Sequence, residues 1–134
     1  MLGEMLSESR GKVTGHRVLP SEGLSPKMEI SFQESGKLLG MEYTERGTYI
    51  AMAGPGGVLY GQGQGIAMTK DGEMATWTGG GVGKMTARGG ASYRGAIYFQ
   101  TASPKLARLN GMAVVFEHEV DENDNTHGKL WEWK

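Results

Sequence analysis

Apolar and polar residues alternate along most of this chain, and the i, i+3, i+4 spacing of an amphipathic helix is almost absent. Residues 27–34, KMEISFQE, set Met28, Ile30 and Phe32 on one face and Glu29, Ser31 and Gln33 on the other. Residues 38–53 read as extended chain, broken at Glu45-Arg46-Gly47, and Gly54-Pro55-Gly56-Gly57 has the composition of a turn. Residues 58–69 and 74–87 are two more extended runs, and the Asp71-Gly72 between them is a strong hairpin signal. Residues 90–101 follow. Then Met112, Val114, Phe116, His118 and Val120 alternate with Ala113, Val115, Glu117 and Glu119. At the C-terminus Trp131 and Trp133 share one face, with Glu132 on the other.

The helical exception is short. Ser103 is placed to cap it, Pro104 occupies its first position and Asn110-Gly111 ends it, so the spacing predicts a connector of about two turns. With residues 11–19 counted, the chain carries about eight strands, and residues 1–9 are expected to be a flexible or loosely packed start. Short connections between alternating strands imply antiparallel neighbours. A meander with one consistently apolar face removes its edges by closing. The expectation is all-β: one domain spanning residues 1–134, an eight-stranded antiparallel meander barrel with one short helical connector. Such a barrel is filled by side chains or holds one small ligand.

Glycine changes the picture. There are 23 in 134 residues, about one in six against an average near 7%. In LYGQGQGIAM, residues 59–68, Gly61, Gly63 and Gly65 leave one strand face bare. That permits tight coiling or the close approach of a ligand or another strand.

Charge and composition mainly exclude. A net charge of −1 offers no footprint for nucleic acid or an anionic membrane. No cysteine is present, which removes disulfides, thiolate catalysis and cysteine zinc sites together. No run approaches the ~18 apolar residues of a membrane span, and MLGEMLSESRGK lacks the form of a secretory signal. A cytoplasmic location is the default expectation.

Three motifs nearly match and fail. From Gly61 the sixth position is Ile66 and from Gly63 it is Met68, so the dinucleotide fingerprint breaks, with no helix following. Gly83-Lys84 has Thr78 where the phosphate loop needs its first glycine and Met85 where it needs Ser or Thr. Asp121, Asn123, Asn125 and Glu132 fall on calcium-loop positions, but Thr126 replaces the turn glycine, and turn chemistry explains the same residues. His16, His118 and His127 lie on separate segments without metal-ligand spacing. No metal or cofactor is expected.

Residues 78–91, TGGGVGKMTARGGA, resemble the glycine-rich signature of the allene oxide cyclase and dirigent barrels, through Gly79, Gly80, Gly83, Lys84, Ala87 and Gly89. Small bacterial proteins of unknown function share that barrel, and this chain is similar to them in length. The resemblance implies an eight-stranded barrel, often a dimer or trimer, whose apolar cavity folds a small hydrophobic molecule and steers its cyclisation. It transfers no catalytic residue, because the matching glycines shape the barrel.

The apolar face supplies the candidate ligand-binding residues: Met41, Tyr43, Tyr93, Phe99, Phe116, His118 and Trp131. Nine methionines suit an adaptable cavity. His118, Tyr43 and Tyr93 are the candidate proton donors. Two readings stay open. In one the barrel binds an apolar small molecule, as a cyclase or isomerase. In the other it is a filled, non-enzymatic barrel acting through a homo-oligomeric surface, with Trp131 and Trp133 as anchors. The direction of the charged face (Glu29, Glu42, Arg94, Glu117, Glu119 and Glu132) is also open: outward it is solvated, inward it would be an acid–base cluster.

Overall fold

In the computed structural model, which describes all 134 residues, the chain forms eight strands. They are β1 (Leu2–Leu19), β2 (Lys27–Leu38), β3 (Met41–Ala53), β4 (Val58–Thr69), β5 (Met74–Met85), β6 (Ala91–Gln100), β7 (Val114–Val120) and β8 (Asn125–Trp133). Each pairs antiparallel with the next and β8 returns to β1, so the sheet is a closed barrel in meander order. The fold class read from the alternation is the one observed.

Three local readings are corrected. β1 begins at Leu2 rather than near residue 11: Ser7 to Lys12 pair on one side with β2 and on the other with β8, which holds the expected loose start in place. β3 runs unbroken through Glu45-Arg46-Gly47, because Gly47 sits opposite Phe32 and Gly65 inside the barrel and marks a close approach, not a turn. A Cβ on Gly47 would lie 2.6 Å from the Phe32 ring. The connector between β6 and β7 is a 3-10 segment, Pro104–Leu109, with no α-helical turn.

That connector stoppers one end of the barrel. Leu106 and Leu109 are fully buried with Leu38 and Val114, and Leu6, Phe99, Ala67 and Ala75 pack in the same cluster. Each leucine, valine or phenylalanine side chain here contributes about 1.5–3 kcal/mol of burial. The tight β2–β3 turn at this end places Leu39 and Gly40 at positive φ and packs Leu39 on the cluster. The β7–β8 turn closes through Asp121, whose Oδ1 accepts from the backbone N–H groups of Asn123 and Asn125. The residues that echo a calcium loop are thus a hydrogen-bonded turn.

The charged face points outward. Arg94 pairs with Glu117 and Glu119, Arg17 with Glu29, and Lys70 with Glu42, all on the barrel's exterior. Glu132 differs: it alternates with Trp131 and Trp133 on Leu130's side of β8, and meets Arg108 of the connector at 3.5 Å. No helix is long and apolar enough to cross a membrane.

Candidate active site

The half of the barrel away from the stopper is not filled. It holds about 80 Å³ of space open to a water-sized molecule. One wall is bare backbone, Gly61 and Gly63 of β4 against Gly79 and Gly81 of β5. The glycines of LYGQGQGIAM are explained by the aromatic side chains they face. Gly65 lies under the Trp77 indole, which would collide with any Cβ there. Gly61 faces Tyr49 and Tyr93 at van der Waals distance and leaves part of the cavity open. The opposite wall is aromatic: Phe32, Tyr49, Tyr93 and His118 form one cluster with ring centroids 5.0 to 6.3 Å apart, and Phe116 and Trp77 complete the lining.

Two carboxyl groups enter this space. Glu34 of β2 and Glu45 of β3 are direct register partners, both turned inward and both buried. Cross-strand partners stand with Cβ atoms about 5 Å apart. Glu34 Oε1 accepts from Ser9 Oγ at 2.9 Å. Its Oε2 lies 3.8 Å from His118 Nδ1 and has no hydrogen-bond partner. Gly128 makes room for this carboxylate, since a Cβ there would come within 3.2 Å of Glu34 Oε1 and Ser9 Oγ. Glu45 accepts from the Trp77 indole N–H and, more weakly at 3.4 Å, from Tyr43 Oη, which is itself 2.8 Å from Ser7 Oγ.

Electrostatics separates the roles. Burial, then the facing Glu34, raises the Glu45 carboxyl to about 8, so it keeps its proton at neutral pH. Burial pushes His118 down, against the opposing pull of Glu34 and Glu119, and the imidazole is neutral. With Nδ1 toward Glu34, Nε2 is left buried without a partner. Burial also raises Tyr43, Tyr49 and Tyr93, which stay protonated. The site thus combines a protonated acid, an ionisable carboxylate and a neutral imidazole in a largely apolar chamber, the ingredients of proton transfer near neutral pH.

Of the seven residues predicted to bind a ligand, Tyr93, Phe116 and His118 line the cavity. Tyr43 is buried beside it in the Ser7–Glu45 network. Met41 and Phe99 pack with the stopper cluster. Trp131 is displaced altogether: Thr126, Gly128 and Leu130 are the inward side of β8, so Trp131 and Trp133 lie on the outer face. The alternation at this end was inverted because Lys129 and Glu132 are both polar and give no unique phase. Glu34, Glu45, Tyr49 and Trp77 were not foreseen. Glu34 stands two residues past Phe32 on the same face, and Tyr43, Glu45, Gly47 and Tyr49 alternate inward in the same way. The two remaining histidines lie apart, His16 with Asp124 and His127 with Glu8.

No protein-family model matches the chain, and no curated protein matches its sequence. Solved structures do match its fold. A beta-barrel-like protein from Acinetobacter baumannii superposes with a TM-score of 0.83 at 14% identity, over 100% of this chain and 96% of that one. A protein of unknown function from Clostridium acetobutylicum gives 0.82 at 12% identity, over 98% of each chain. An enzyme from Penicillium herquei gives 0.70 at 16% identity, over 96% of this chain and 92% of that one. At these identities the likeness is one of fold.

Proposed function

We propose that this barrel binds a small, largely apolar molecule and moves a proton on it, as an isomerase or cyclase. The observation that carries the reading is the Glu34–Glu45 rung, with His118 beside it, inside an aromatic cavity. His118 Nε2 is free to accept a proton from the bound molecule. Glu34, facing Nδ1, stabilises the imidazolium that forms. Glu45 enters the cycle protonated and can return a proton at a second position, and aromatic and glycine walls hold one conformer of the substrate in place. The 3.8 Å between Glu34 Oε2 and His118 Nδ1 is longer than a hydrogen bond with the imidazole neutral, and is expected to tighten when Nε2 takes up a proton. The glycine-rich resemblance of β5 to allene oxide cyclase and dirigent barrels accords with this reading, as does an enzyme among proteins of similar fold.

Native mass spectrometry of the gently purified protein tests it. The expected result is a retained small molecule that leaves on denaturation, with retention weakened more than tenfold in His118→Ala. The reading is overturned by a bare chain whose melting temperature does not move across a panel of small ketones, enones and epoxides. A second reading, a homo-oligomer, rests on the exposed Trp133 beside Leu2 on the outer face, its partner in the β1–β8 register. An unchanged solution mass after removal of residues 130–134 counts against it.

A further inference from the structure

We infer that the molecule this cavity takes carries a positive charge: a small organic cation with an alkylammonium centre. The inference rests on the reading that the cavity binds a small molecule and adds its chemical class.

The cavity has one acidic pair and no basic side chain able to answer it. Neither lysine nor arginine is among its lining residues, and Glu117, paired outside with Arg94, borders it as a further carboxylate. The single imidazole is pushed toward its neutral form by burial, and its Nδ1 stands 3.8 Å from Glu34 Oε2, beyond hydrogen-bond reach. Glu34 is 97% buried by side-chain exposure (3% remains), yet its Oε2 has no hydrogen-bond donor. A buried carboxylate oxygen without a partner is costly unless something else supplies the complement. Phe32, Tyr49, Tyr93 and Trp77, whose ring faces are negative, line the same cavity as this carboxyl group. Aromatic faces around a carboxylate form a cage for an ammonium group, which gains from each ring within about 6 Å of the ring centroid. Tyr49 and Tyr93 meet edge to face at 5.5 Å and form one corner of the cage.

Size agrees. A water-sized group needs roughly 10–15 Å³ by this measure of space. The 80 Å³ cavity therefore holds at least about five such groups. A trimethylammonium head with its first methylene is five heavy atoms. A primary ammonium would fit as well and would donate directly to Glu34 Oε2. On the glycine wall Gly61 leaves room, since even an added Cβ there would stand 3.7 Å from its nearest neighbour.

The test compares choline with 3,3-dimethylbutan-1-ol, which has the same shape with carbon in place of the charged nitrogen. Isothermal titration of the whole protein at pH 7 is expected to show choline binding at least about tenfold tighter than the neutral isostere. Glu34→Gln, which keeps the shape and the Ser9 contact, should abolish that preference while leaving the isostere's affinity in place. Should Glu34→Gln fail to fold, Tyr49→Leu serves: it removes one ring of the cage and should cut the preference several-fold. Equal affinity for the two compounds overturns the cation inference and leaves the apolar cavity reading intact. Binding of neither at concentrations up to roughly 10 mM overturns both.

Discussion

The two ends of this barrel solve opposite problems with the same strands. At one end Leu106 and Leu109 descend from the β6–β7 connector onto Leu38 and Val114, and the polar groups buried nearby, Ser7 and Tyr43, are hydrogen-bonded to each other. At the other, Gly61, Gly63, Gly79 and Gly81 withhold side chains just where the facing strands bring in two carboxyl groups and an imidazole. Burial stabilises the first end. The second opposes folding, since ionisable groups are held away from water in states they would not choose there. Buried acids and an unpaired imidazole nitrogen persist only because the packed end and the closed hydrogen-bonded wall over-determine the backbone.

The contrast is broken most severely at the stopper. Leu109→Ala should cost about 3 kcal/mol, measured by chemical denaturation, because it removes a fully buried side chain and leaves a void. A cost below about 1 kcal/mol would mean that the connector covers the barrel without supporting it.

At the cavity end the largest effect is tied to pH. Glu45 titrates near 8 in the folded protein and near 4.5 when unfolded, so the folded state binds the extra proton between those values. Stability tied to this group is complete below pH ~4.5 and is lost as pH rises through 8. Glu45→Gln should remove that loss, so that the variant gains steadily on the unaltered protein as pH rises from 5 to 8. Parallel urea curves for the two proteins across this range would refute the assignment. His118 works in the other direction. Its lowered value means that stability is present above its unfolded value near 6.5 and falls as pH drops through its folded value. Proton–nitrogen NMR should show its imidazole taking up a proton at a lower pH than His16 does, and protonation at a higher pH than His16 would contradict the burial argument.

Gly65→Ala probes the boundary between the ends. Its methyl group would displace the Trp77 indole and with it the donor to Glu45. A cost of about 1–2 kcal/mol and a red-shifted tryptophan emission are expected. The smallest effect lies outside the barrel: Arg94→Ala, losing exposed pairs with Glu117 and Glu119, should change stability by less than about 1 kcal/mol.

The barrel was legible because alternation, turn glycines and Asp71-Gly72 all point to short antiparallel strands, and one-sided burial makes that signal strong. The site was less so. A carboxylate on an apolar face looks like a break in the pattern: Glu45-Arg46-Gly47 resembles a turn until Gly47 is seen beneath Phe32. The exterior charges, Arg94 with Glu117 and Glu119, are solvated, while the buried carboxyl group is Glu34, two residues beyond a recognised apolar stripe. Pairing register, which joins Glu34 to Glu45 across two strands, is not written in either strand alone.

The stopper has a consequence for traffic. A barrel sealed at one end is a cup and not a pipe, so what enters the chamber must leave by the same mouth. Two molecules cannot pass through in sequence, and each departure has to precede the next arrival. The pace of exchange then belongs to the turns that rim the open end, residues 20–26, 54–57, 86–90 and 121–124. Those turns can vary in sequence and length to tune residence time without disturbing the acid pair below them.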